Sequence, residues 1–228
     1  MHPLDNVIWS ALTTRQAHLG TRDRAAAKFD PEVSVFGALE ALTADAWASL
    51  IGLVAPGGRV ALVIDGAVPP PQLAVISDLS VLQMLRDTDA PLAATGPDRP
   101  AIAPLTAADV PAMTALSELT KPGPFNRRTR EMGDYFGLRS GDQLIAMAGE
   151  RLRVPGFTEI SAICTHPDHL GRGYAAAFIE LLVGRILARG ERPFLHVLPQ
   201  NTRAVALYER LGFRRRHEKR YLILERVS

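Results

Sequence analysis

The stretch Thr165-His166-Pro167-Asp168-His169-Leu170-Gly171-Arg172-Gly173-Tyr174-Ala175 leaves an apolar strand pattern, crosses two close glycines and runs straight into a helical pattern. Bare backbone N–H groups at such a helix start form a seat for phosphate. Gly173 lacks a Cβ, so an anion can approach the main chain closely. On this fragment alone, a plain glycine turn joining strand to helix is an equal reading. A dinucleotide fold is disfavoured, because a third spaced glycine and a later acidic ribose partner are missing. A Walker loop is excluded, because no Gly-Lys-Ser/Thr follows. Further on, Asn201 to Phe213 opens like a helix cap and closes on Gly212.

Other reactive residue types point less clearly. Cys164 is the single cysteine, which excludes an internal disulfide and a cysteine-based zinc cluster. As a lone strand cysteine it reads as a small hydrophobe rather than a nucleophile. His166, His169 and His196 lack the spacing of a metal site, and no metal is expected. The run Arg214 to Arg220 has the charge of a nucleic-acid patch, but no aromatics interleave it for base stacking. It reads as a solvated turn between two strands, and no nucleic-acid partner is expected.

Together, the glycine loop and the pattern Asn201, Ala204, Leu207-Tyr208, Gly212-Phe213 resemble the GNAT superfamily of acyl-CoA-dependent N-acyltransferases. The resemblance covers about residues 99–228. A looser likeness is to the branch with glycine N-acyltransferase relatives, which also carry a divergent N-terminal half. The resemblance implies direct acyl transfer from acetyl-CoA to an amine in a ternary complex. It implies Glu159, eleven residues ahead of Leu170, as general base, and Tyr208 as the acid facing the sulfur. A useful glutamate base would need its pKa raised by burial. Backbone groups of Ile163, Cys164 and Thr165 would hold pantetheine and the thioester oxygen. The segment Leu170, Gly171, Arg172, Gly173, Tyr174, Ala175 would seat the pyrophosphate, and Asn201 with Ala204 would contact the cofactor. Leu170 departs from the usual Gln or Arg of the motif, which removes one side-chain contact. The acceptor wall would fall at Lys121 to Met132. There Phe125, Arg127, Arg128 and, from a nearby strand, His196 are candidate substrate contacts. A solvated turn is the alternative for at least two of Arg127, Arg128 and Arg130. Two rival functions stand beside this one: an acyl-CoA sensor without catalysis, and nucleic-acid binding through Arg214–Arg220.

The elements that must position these residues follow from pattern. Trp9–Leu19, Thr43–Leu53, Thr106–Leu119, Gly171–Arg189 and Thr202–Leu211 have helical patterns. Arg59–Ile64, Leu73–Ser77, Phe157–Cys164, Phe194–Leu198 and Tyr221–Leu224 read as strands. Phe136–Leu138 and Leu144–Arg153 form a hairpin about Ser140-Gly141-Asp142. The result is an α/β protein with a mixed sheet. Pro91 to Pro104 reads as a linker. It divides an N-terminal α/β domain, 1–97, from an acyltransferase-like domain, 98–228. The first half is expected to be a degenerate copy of the second, shaping the acceptor cleft or a dimer.

Composition narrows the classes further. Hydrophobic residues make up 47% and charged residues 22% of the 228, which excludes disorder and fibrous architectures. Residues 1–98 hold 6 basic and 11 acidic side chains, and residues 99–228 hold 20 and 13. The basic C-terminal half suits an anionic ligand. Arginine outnumbers lysine 23 to 3, a bias of GC-rich bacterial genomes. No apolar run approaches the roughly 18 residues of a membrane span, and no signal pattern opens the chain. A cytoplasmic location without membrane contact is therefore expected.

Overall fold

A computed structural model describes residues 2–90, 92 and 101–227. The helices are α1 (Val7–Thr13), α2 (Ala44–Leu53), α3 (Val110–Thr120), α4 (Tyr174–Ala188) and α5 (Thr202–Arg210). The strands are β1 (Gly20–Asp23), β2 (Ala26–Phe29), β3 (Gly37–Leu39), β4 (Arg59–Ile64), β5 (Leu73–Leu85), β6 (Ala103–Pro104), β7 (Tyr135–Ser140), β8 (Gln143–Val154), β9 (Phe157–Thr165), β10 (Arg192–Val197) and β11 (Arg214–Arg226). Helix starts follow the local chemistry of the sequence. Thr43 caps α2 by accepting from Ala46 N–H, and Thr106 with Asp109 forms a capping box ahead of α3.

The main sheet has eight strands in the order β4-β11-β5-β10-β9-β8-β7-β6. Within it β9 and β10 run parallel, and the other neighbouring strands are antiparallel. A second sheet holds β1, β2 and β3. Helices α4 and α5 cover one face, where Phe178, Ile179, Leu182, Ile186, Val205 and Tyr208 pack on Ile160, Leu195 and Val197. On other faces α3 packs over Tyr135, Met147 and Cys164, and α1 packs toward Phe194, Leu152 and Val154.

The sheet runs across both halves of the sequence. β5, from the first half, lies between β10 and β11 of the second. Gln16, buried beyond the end of α1, donates to the carbonyls of Met132 and Arg151. Thr129 donates to Val33 O. Residue 97 and most of the expected linker lie outside the described residues.

Several expected elements differ. The N-terminal helix is α1 and then a short 3₁₀ turn at Ala17–Leu19. β5 extends well past Ser77 to Leu85. The run Arg214–Arg220 is not a turn but the first half of β11. Its charges pair with neighbouring elements: Arg215 with Glu209, Lys219 with Asp65, and Arg220 with Asp78.

Candidate active site between two parting strands

The parallel pairing of β9 and β10 covers only Phe157↔Arg192, Thr158↔Pro193 and Glu159↔Phe194. Beyond this point both strands continue, β9 to Thr165 and β10 to Val197, but not as partners. β10 turns to pair with β5 instead. In β9 a bulge accompanies the parting. Ala162 has φ 52°, and the β8 register slips between Ser161↔Gly149 and Cys164↔Met147. The extra residue switches the side-chain alternation. Ile160 and Ile163 therefore reach the α4 face, while Ala162 and Cys164 reach the α3 face. Backbone groups along the parted edges lack a strand partner there.

A cavity of about 510 Å³ occupies this wedge. Ile163, Cys164 and Thr165 line it from β9, His196 and Val197 from β10, and Leu198 from just past its end. Asn201 and Tyr208 line it from α5 and its cap, and Thr120 to Pro124 from the end of α3. The N-terminal half supplies Val7, Ile8, Phe36, Val63, Leu79 and Val81. Arg151, Leu152 and Tyr221 complete the lining.

Tyr208 is 9% exposed, and among the described residues its hydroxyl has no hydrogen-bond partner. Burial pushes its pKa up to about 12. Cys164 is likewise pushed up by burial, to about 11, which leaves it a thiol at neutral pH. Asn201 accepts from Ala204 N–H at 3.2 Å and so caps α5, while still facing the cavity.

Glu159, the expected base, does not line the cavity. Its side chain is 0% exposed. Arg151 Nε and Nη2 each donate to it at 2.8 Å, Leu152 N–H donates at 3.3 Å, and His196 Nδ1 lies 2.6 Å away. Burial alone would raise this carboxyl. The Arg151 charge and the hydrogen bonds of Arg151 and His196 outweigh it and hold the carboxyl far below its ordinary value. A carboxylate so satisfied is a weak base. Gln83 Nε2 lies 3.2 Å from His196 Nε2, while Gln83 Oε1 accepts from Arg216. With Gln83 Nε2 as the donor, His196 Nε2 accepts and Nδ1 faces the Glu159 carboxylate.

The arginines assigned to the acceptor wall are engaged elsewhere. Arg127 pairs with Glu32, and Arg128 pairs with Asp30 and Glu131. Arg130 donates to Leu105 O. Phe125 stacks edge-on against Tyr135, with ring centroids 5.7 Å apart. These side chains tie the segment down instead of lining the cavity. Arg151, buried in the middle of β8, does line it and was not expected. The sequence signal was the charged cluster Glu150, Arg151 and Arg153 following an apolar run in one strand.

The glycine loop follows directly from Thr165. Gly171 and Gly173 have φ of 79° and 77°, a region that favours glycine, and a Cβ at either would meet nothing within 4 Å. Gly173 caps α4 with no side-chain hydrogen bond, and the helix ladder begins with Ala177 N–H to Gly173 O. The earlier amides therefore remain free at the helix start. Leu170, at 56% exposure, offers no polar group.

The family model described as "FR47-like protein" matches residues 135–222. A GNAT-family structure from Novosphingobium aromaticivorans DSM 12444 superposes with a TM-score of 0.91 at 37% identity, covering 100% of both chains. A GCN5-related N-acetyltransferase from Kribbella flavida shares the fold, with a TM-score of 0.65 at 15% identity over 99% of this chain and 96% of its own. N-alpha-acetyltransferase RimI of Mycobacterium tuberculosis is 38% identical over 98 residues, 41% of this chain. The chain spans 61% of RimI's length, and 45% of a Mycobacterium leprae relative that is 32% identical over 173 residues. Fold, wedge and whole-chain likeness agree: the chain belongs to the GNAT family.

Proposed function

We propose that this protein transfers an acetyl group from acetyl-CoA directly to an amine held in the same cavity. The observation that carries the reading is the wedge between β9 and β10, whose unpaired edges meet the glycine loop at one end and Tyr208 across the gap. The chain's residues fit the cofactor. The amides at the start of α4 suit a pyrophosphate, and strand edges at Ile163 to Thr165 suit an extended pantetheine. Acetyl-CoA supplies a thioester whose C–S bond is exchanged for an amide C–N bond. Backbone N–H groups of Ile163 to Thr165 polarise the carbonyl oxygen as charge develops. Tyr208 gives its proton to the departing sulfur and regains one from solvent.

His196 replaces Glu159 as the group that receives the amine's proton. Glu159 holds the Nδ1 proton in place and so keeps the Nε2 lone pair available. In the free protein that lone pair takes the 3.2 Å contact from Gln83, which an incoming amine would displace. Glu159 is then a positioning residue. The 1–97 half acts as the wall of the acceptor end through Val7, Ile8, Phe36, Val63, Leu79 and Val81.

A second reading, acyl-CoA binding without turnover, draws on Leu170 at the motif position that usually carries Gln or Arg. Thiol release from acetyl-CoA with a panel of amines separates the two. Amine-dependent release supports transfer, and tight acetyl-CoA binding without release under any amine favours the sensor. Among the described residues no helix is long and apolar enough to cross a membrane.

A further inference from the structure

The acceptor end of the cavity has a definite chemistry. Among the described residues lining it there is no aspartate or glutamate. A polyamine, an aminoglycoside or a lysine-rich peptide would find no carboxylate to hold its remaining cations. The charged groups that do line it are Lys121 and Arg151.

Arg151 is 9% exposed. Its Nε and Nη2 are committed to Glu159, but a guanidinium carries five N–H donors. Nη1 has no hydrogen-bond partner among the described residues. Glu159 lies sealed behind the wall, so the cavity meets the guanidinium and not its counter-ion. The guanidinium sits over the Phe36 ring, 5.0 Å from its centroid, and Phe36 meets Tyr221 edge-on at 6.1 Å. The Tyr221 hydroxyl also lacks a partner among the described residues, and Tyr221 lines the same cavity. Two unpaired donors, one of them a buried cation, therefore stand in a chamber whose N-terminal wall is the apolar Val7, Ile8, Val63 and Val81. A carboxylate can accept from both donors at once, and the guanidinium makes that pairing charge-assisted.

We propose that the acceptor is an α-amino acid with an apolar side chain, its carboxylate bound by Arg151 Nη1 and the Tyr221 hydroxyl and its side chain against the N-terminal wall. This assignment rests on the acetyl-transfer reading. The amine lone pair forms the new C–N bond, the C–S electron pair leaves with sulfur, and the amine proton goes to His196.

The test uses the full chain and acetyl-CoA, with thiol release as the readout. Leucine and phenylalanine are compared with their amides and with isoamylamine and phenethylamine. The amides have the less basic amines, so intrinsic availability of free amine works against the expected result. The expected result is kcat/KM at least tenfold higher for each amino acid than for its amide or decarboxylated partner. Equal or better turnover of the amides or amines overturns the proposal. In Arg151→Lys, which keeps a charge beside Glu159, the ratio of leucine to isoamylamine kcat/KM is expected to fall at least tenfold, mainly through the KM for leucine. An unchanged ratio in a folded variant overturns the role of Arg151, and the wild-type comparison stands if the variant does not fold. Calorimetry with acetyl-CoA separates the two levels. Binding without turnover of any of the six acceptors overturns the acceptor assignment alone. Absence of binding removes the acetyl-transfer reading itself.

Discussion

Glu159 and His196 meet where β9 and β10 part, with Oε1 and Nδ1 2.6 Å apart. Glu159 belongs to the last shared register of the two strands, and His196 lies two residues past its partner Phe194. A carboxylate pinned by Arg151 on one side thereby orients an imidazole that faces the cavity on the other.

Removing the carboxylate should cost stability before it costs chemistry. Glu159→Gln leaves the Arg151 guanidinium without its counter-ion, and breaking a buried pair in this way costs about 3 kcal/mol or more. The folded carboxyl is depressed below its ordinary 4.5. Its contribution is therefore fully present above that value and is lost as pH falls toward the folded pKa. Urea unfolding should show a wide gap between wild type and variant at pH 7 that narrows as the pH drops below about 4.3. A gap independent of pH would remove the charged pair from the account.

For His196→Gln, kcat/KM should fall roughly a hundredfold at neutral pH, the usual scale of a positioned general base. Activity should recover as pH rises, because the acceptor then arrives as free amine. A pH–rate profile parallel to wild type would mean that His196 handles no proton.

Tyr208→Phe should lower kcat by roughly ten- to a thousandfold, with the acetyl-CoA Kd little changed. With its pKa pushed up to about 12, Tyr208 stays protonated between pH 6 and about 10. No loss of rate in that window should trace to it. Unchanged turnover in the variant would take Tyr208 out of the mechanism.

At Gly173 the constraint is conformational. A Cβ would meet no atom of the protein, but φ of 77° is poorly tolerated by a β-branched residue. Gly173→Val should fold with a cost of about 1–2 kcal/mol and bind acetyl-CoA at least tenfold more weakly by calorimetry. Retained affinity would contradict the loop's role as a phosphate seat.

The loop and the last helix were legible because both are local. Two glycines before an apolar helical stripe, and Asn201 capping the helix that carries Tyr208, need no partner from elsewhere in the chain. The wedge was not legible, since it arises from a bulge at Ala162 and from β10 exchanging β9 for β5 across long sequence distances. Glu159 was picked out by spacing, but its charge state depends on Arg151 from the neighbouring strand. Arg127 looked free because its partner Glu32 lies some ninety residues earlier, as does Asp30, one of the two partners of Arg128. The short β1, β2 and β3 escaped notice, since runs of three or four residues such as Gly-Thr-Arg-Asp and Ala-Ala-Lys-Phe show no alternating apolar pattern.

The most direct test of the wedge as an acetyl-CoA site is calorimetric titration of the purified protein with acetyl-CoA, with NAD and ATP as controls. The account predicts one site per chain, micromolar affinity for acetyl-CoA and no comparable heat from either control. Equal binding of all three nucleotides, or none of acetyl-CoA, would contradict it.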